Sequence, residues 1–198
     1  YITSRGIEWT NKKSLIMGFS ETVIYSGLNR SFEIGYINPI ASHIEIELND
    51  RLQKTGTIGA NAVWQFHIDS FLGRYNRVSL NYLIDEFVLD ENLEIGKENG
   101  TAISFRVSHN LINTTDQFLS IYYRHISVGT PTFRHGVGTN NFVNKGTPLG
   151  WNRGSDSREI SIGVNSSNNK SIYLFLICGY YKSGAVSYTH LTLPTKRI

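Results

Sequence analysis

The stretch Thr57-Ile-Gly-Ala-Asn-Ala-Val-Trp-Gln-Phe-His-Ile-Asp69 decides the fold. Its even positions, Ile58, Ala60, Ala62, Trp64, Phe66 and Ile68, are all apolar. Its odd positions, among them Asn61, Gln65, His67 and Asp69, are polar or small, and Val63 is the one break. Side chains of a β-strand point alternately to opposite faces, whereas an amphipathic helix needs apolar residues at i, i+3 and i+4. The stretch is a long amphipathic strand with Ile58, Ala60, Ala62, Trp64, Phe66 and Ile68 on one sheet face.

The same period recurs on both sides of a turn at Gly73. Val78, Leu80, Tyr82 and Ile84 alternate with Arg77, Ser79, Asn81 and Asp85. Ile103, Phe105 and Val107 alternate with Ser104, Arg106 and Ser108; Leu119, Ile121 and Tyr123 with Ser120, Tyr122 and Arg124; Ile160, Ile162 and Val164 with Glu159, Ser161 and Asn165. Residues 171–181 are apolar on both faces apart from Gly179. Such strands exceed the globular mode of about five or six residues. Joined in order by turns, they read as an all-β, antiparallel up-and-down meander. Two settings suit that pattern: a soluble sandwich, whose apolar face meets a second sheet, or an outer-membrane barrel, whose apolar face meets lipid around a polar lumen. Arg77, Arg106 and Arg124 stand mid-strand on the polar side, as a wet or salt-bridged lumen requires; a solvated outer face would look the same.

Composition agrees and excludes other classes. Of 198 residues, 40 % are apolar and only 18 % charged, with 18 Gly, 11 Tyr and 10 Phe. This is too apolar for a disordered coil and favours strands and turns over helices. The single cysteine, Cys178, excludes an internal disulfide framework and a cysteine-based zinc site; in so apolar a segment it reads as an inert packed thiol. No run is long and apolar enough for a transmembrane helix. The formal net charge is +3, and it falls by two when Lys196 and Arg197 are set aside. With no basic stripe elsewhere, nucleic acid is not expected as a partner.

Two regions depart from the alternation. In residues 38–55, Ile44, Ile46 and Leu48 suit a strand, but Ile40, Ile44, Leu48 and Leu52 form an i, i+4 stripe behind Pro39, which favours a short helix near 40–53. Residues 129–156 form a long Gly/Asn/Thr/Pro-rich connection, and connections of this length are usually functional. Chemical motifs are sparse. Asp85 and Glu86 are strand neighbours pointing apart, so they make no acid–base pair. Glu45 and Glu47 read as solvated or capping residues. His125 and His135 lack a third ligand at recognisable spacing. Gly136-Val-Gly138 lacks the Gly-Lys-Ser/Thr of a phosphate loop. No catalytic centre and no cofactor are expected.

Three ordered stretches resemble the Wzi capsule-assembly family of Gram-negative outer membranes. Gly18-Phe-Ser-Glu-Thr-Val-Ile-Tyr25 with Ile34-Gly-Tyr-Ile-Asn-Pro-Ile40 is similar to the family's glycine- and tyrosine-containing core. Val78–Leu89, with Leu83-Ile-Asp-Glu-Phe-Val-Leu89, is similar to its acidic–aromatic segment, and Tyr123-Arg124 followed by Thr147-Pro-Leu-Gly150 and Gly154-Ser-Asp-Ser157 to a loop that precedes a strand. Tyr25-Ser26-Gly27 departs from the usual paired glycines, and Trp151-Asn-Arg153 is bulkier than usual, which weakens transfer of ligand residues. The resemblance implies a barrel of roughly eighteen strands, of which this chain supplies about eight as an open partial barrel. It also implies bacterial outer-membrane localisation, with lipid and capsular polysaccharide as partners and a lectin-like, non-enzymatic role in attaching capsule to the cell surface. The alternatives are an outer-membrane barrel of gliding or secretion machinery and a soluble secreted β-sandwich binding module.

Glycan recognition needs planar hydrogen-bonding groups and aromatic faces. In residues 129–156 these are offered above all by Arg134, Trp151 and Arg153, whose guanidinium groups also suit acidic sugars. The chain opens at Tyr1 without an initiator methionine. Residues 186–195, Val-Ser-Tyr-Thr-His-Leu-Thr-Leu-Pro-Thr, resemble the in-frame translation of a transposase adaptor used in sequencing-library preparation. The expected organisation is one partial barrel domain over residues 1–185, truncated at both ends, and a non-native tail over 186–198.

Overall fold

A computed structural model describes residues 1–27, 30–38, 40–43, 46, 60–86, 99–135, 140–144, 147–168 and 172–184. The expected tail, most of the expected helix, Ile58, Glu45 and Glu47 lie outside the described residues. Within the expected helix, the Ile46 N–H donates to the Ser42 carbonyl at 3.3 Å.

The described residues form one eight-stranded antiparallel sheet, a meander as the alternation predicts, and it does not close on itself, as expected of a partial barrel. Its strands are β1 (Ile2–Thr10), β2 (Leu15–Ile24), β3 (Asn61–Leu72), β4 (Asn76–Glu86), β5 (Gly100–Asn113), β6 (Gln117–Val128), β9 (Ser157–Asn168) and β10 (Ile172–Ser183). Between β6 and β9 a small hairpin, β7 (Val143–Asn144) and β8 (Thr147–Pro148), stands apart as its own two-stranded unit. Each strand of the large sheet pairs with its neighbour in the meander, so β1 and β10 are the edges. The two ends of the sheet differ. Short turns at 11–14, 73–75 and 114–116 join strands at one end; at the other, β2, β4 and β6 run into the connections 25–60, 87–99 and 129–156.

Register fixes which side chains share a face. Phe19 of β2 stands opposite Phe66, Phe66 opposite Tyr82, and Tyr82 opposite Ile103. Farther along, Val107, Tyr123, Ile162 and Cys178 form a second such row. These rows make an apolar outer face that is open to the surroundings: Phe66 is 45 % exposed and Ile162 54 %. Ala62, Trp64, Phe66 and Ile68 share it, as the period-two reading requires. Cys178 belongs to it too and is exposed, so the packed-thiol expectation is corrected. The apolar sequence around it reflects an edge strand, not a buried one.

The opposite, inner face carries Gln65, His67, Asp69, Ser79, Asn81, Ser104, Arg106, Ser120, Tyr122, Arg124, Glu159 and Ser161. The apolar cluster of this face lies at the long-connection end. There Phe133 and Phe142 of 129–156 fold back onto Ile24, Val63, Ile126 and Val128. This explains Val63, the one apolar residue on the polar side of its strand: it lies beneath the connection and is buried. The connection is tied down by hydrogen bonds from Thr132 Oγ1 and Gly129 N to the Thr101 carbonyl, each 2.8 Å, and from Phe133 N to the Asp85 carboxylate. A second cluster, Val23, Tyr25, Tyr36, Ala60 and Ala62, lies at the same end where the 25–60 connection crosses the outer face. Trp64 is half-buried there, donating from Nε1 to Glu21 Oε1 at 2.7 Å alongside His43, instead of being freely exposed like Phe66.

Two glycines on the inner face make room for rings from the neighbouring strand. A Cβ at Gly163 would collide with the Tyr122 ring opposite it, and one at Gly18 with the His67 ring. Gly163→Val is therefore expected to destabilise the folded sheet by about 1–3 kcal/mol through overpacking. Placed in a Tyr122→Ala background, the same change should cost distinctly less. Equilibrium unfolding of the single and double variants checks both values.

Candidate functional site

The inner face bears a groove of about 670 Å³ beneath the 129–156 connection. Its floor is Gln65, Asp69, Ser79, Asn81, Ser104, Arg106 and Arg124, and its rim toward the long connections includes Phe133, Leu149 and Trp151. Each floor residue reaches it through the same cause: an inward position in a strand whose outward positions are apolar.

The charged side chains around the groove differ in how they are partnered. Asp69 accepts from Arg77 Nε at 2.8 Å and from Ser79 Oγ at 3.1 Å, so this carboxylate is matched by a guanidinium. Arg124 donates from Nε to Glu159 Oε1 at 3.1 Å and pairs with the same oxygen through Nη2, and Ser161 Oγ adds a third donor at 2.9 Å. Glu159 is buried, so its charge is sustained by these donors rather than by solvent. Arg106 stands directly opposite Arg124 in the β5–β6 register. Its guanidinium carbon lies 4.0 Å from the centroid of the Tyr122 ring, and among the described residues no hydrogen-bond acceptor or carboxylate engages it.

Of the three residues read from the sequence as glycan contacts, only Trp151 lines this groove. Arg124 lies over its ring, 5.8 Å from the centroid, and its buried Nε1 has no hydrogen-bond partner among the described residues. Arg153 is exposed on the connection and stacks over Tyr181 of β10 at 4.5 Å. Arg134 is half-buried, its N–H bonded to the Pro131 carbonyl at 3.0 Å, and it lies outside the groove lining. The three do not converge on one point. The alternation already placed Arg106, Arg124 and Glu159 on the polar side of their strands. Their proximity depends on β6 pairing with β9 across the intervening hairpin, which no local motif announces.

Among the described residues no three or more His, Cys, Asp or Glu side chains group as metal ligands. Comparison with known protein families, curated proteins and solved structures returned no match.

Removing Glu159 would leave Arg124 and Arg106 as unmatched like charges on opposed strands. Glu159→Ala is expected to cost about 1–3 kcal/mol, below the range for breaking a fully buried pair because Arg124 is partly open to solvent. Adding Arg106→Gln to Glu159→Ala should recover part of that loss, and unfolding at low and high salt measures both the loss and its screening.

Proposed function

We propose that this chain is part of an outer-membrane β-barrel that attaches capsular polysaccharide to the bacterial cell surface, binding it as a lectin does and catalysing no reaction. The observation that carries the membrane half of this reading is the inversion of polarity across the sheet. Row after row of aliphatic and aromatic side chains faces outward, while arginines, carboxylates, amides and hydroxyls face inward. A soluble monomer rarely leaves so extended an apolar face uncovered. In a bilayer that face is solvated by lipid, and main-chain polar groups are satisfied by strand pairing.

Further support comes from the strands, which run from 9 to 14 residues in the large sheet. About nine to eleven tilted residues suffice to cross a bilayer. Barrels of this kind carry short turns on the periplasmic side and long loops outside. On that rule 129–156 and the groove beneath it open toward the cell exterior, where capsule is held. The polysaccharide half of the reading rests on the resemblance of residues 18–40, 83–89 and 147–157 to the Wzi family, and on a groove that combines guanidinium groups, amides, hydroxyls and an indole.

Phe66→Arg and Ile162→Arg on the outer face are each expected to cost about 2–4 kcal/mol in a bilayer, the value for arginine near the midplane. Ser79→Lys on the inner face, beside Asp69, should change stability by less than about 1 kcal/mol. Folding titrations in lipid vesicles distinguish the two faces; a soluble sheet with a wet outer face would tolerate both arginines. For the capsule role, Trp151→Ala and Arg153→Ala should reduce capsule retained on cells at unchanged barrel abundance. Retention equal to wild type in both variants would remove 129–156 from glycan engagement.

A further inference from the structure

We infer that the inner-face groove is a subsite for a carboxylated sugar, with the Arg106 guanidinium, presented on Tyr122, as the group that receives the carboxylate. The inference rests on the polysaccharide reading above and specifies the chemistry of the sugar.

Three observations lead there. First, around the groove Arg77 pairs with Asp69 and Arg124 with Glu159. Arg106 carries a charge that no carboxylate among the described residues engages. Second, that charge is held at a structural cost. Arg106 and Arg124 are direct cross-strand partners, an arrangement that is destabilising unless something negative offsets it. Glu159 offsets Arg124, but nothing described offsets Arg106. Third, the contact that Arg106 does make supports its carbon and leaves its donors available. A guanidinium over an aromatic face gains from the ring's charge distribution while keeping its N–H groups for an acceptor. Five N–H donors in a planar fork match the two oxygens of a carboxylate.

The rest of the lining suits the sugar that would bear that carboxylate. Gln65 Nε2 donates to Asn81 Oδ1 at 3.0 Å, an amide pair with further donor and acceptor capacity on the groove floor. Ser104 adds a hydroxyl, and Trp151 brings an apolar ring with a buried, unpartnered N–H. A pyranose presents hydroxyls at its edge and C–H groups on its faces, so amides, hydroxyls and an indole together accommodate it. The volume of about 670 Å³ is within the range of small-molecule sites. Tyr122 is itself fixed, buried over Gly163 and stacked against Phe175 with ring centroids 6.5 Å apart, so Arg106 rests on a rigid platform.

The test uses the full-length protein in detergent micelles, with oligogalacturonate and a neutral gluco-oligosaccharide of equal length as probes, binding being read by calorimetry. Wild-type protein should bind the acidic oligomer about tenfold or more tightly than the neutral one, with an advantage that shrinks as salt rises. Arg106→Gln should remove that advantage by weakening the acidic oligomer far more than the neutral one, and Arg106→Lys should restore part of it. Trp151→Ala should weaken both oligomers together. If wild type binds both equally, or Arg106→Gln keeps the preference, the carboxylate assignment is overturned and the glycan reading stands. If wild type binds neither oligomer, the assignment is overturned, and the separate capsule-retention assay decides the broader reading.

Discussion

Main-chain pairing between neighbouring strands is the interaction on which everything else in this molecule depends. A sheet whose larger apolar face is exposed cannot draw its stability from a central core. Its apolar clusters are confined to the end with long connections, one on each face. Along most of their length the strands are held by backbone hydrogen bonds and by cross-strand contacts such as Phe19 with Phe66. Such a design works where water is excluded from the outer face, because there each backbone bond lacks a competing solvent partner and unpaired groups are costly. The same constraint makes β1 and β10 the vulnerable elements, since each has only one partner strand here.

The polar face gains order from that arrangement rather than creating it. Its polar pairs join residues on adjacent or nearby strands: the ion pairs of Asp69 with Arg77 and Arg124 with Glu159, and the hydrogen bond between His67 and Glu8. Each pair is available only because antiparallel register sets the two side chains on the same side at close spacing. The 129–156 connection then closes one end, placing two phenylalanines against inward aliphatic residues and leaving a polar groove below. Function on this reading belongs to the inner face and its rim, and the outer face is a solvent adaptation.

Much of this was legible in the sequence, because a period of two is a local property. Thirteen residues from Thr57 suffice to show it, and Phe66, Tyr82, Ile103 and Ile162 all take the face the pattern assigns. What escaped was non-local. Trp64 obeys the alternation but is half-covered because His43 and Glu21 come from other segments. Val63 breaks the alternation because Phe133 and Phe142 of 129–156 pack over it. The register shifts between Ile84 and Glu86 and between Asn110 and Ile112 have no compositional mark. Arg134, Trp151 and Arg153 were grouped by loop membership, whereas the groove gathers residues by strand position. Cys178 misled because apolar sequence does not say whether its neighbours are protein or surroundings.

The glycine seats beneath Tyr122 and His67 carry a consequence for how the strands find one another. Alternation distinguishes correct pairing from a slip by one residue, since that slip turns every side chain to the wrong face. It is blind to a slip by two, which restores the faces and leaves the polarity pattern intact. Gly163 and Gly18 resolve that degeneracy. If β9 moved by two residues against β6, Ser161 or Asn165 would stand where Gly163 does, and the Tyr122 ring would have no recess to enter. The same holds for β2 against β3, where Ile16 or Ser20 would meet His67. Each glycine thus acts as a keyway for a ring-shaped key, fixing the alignment of β9 with β6 and of β2 with β3 where polarity alone leaves it open.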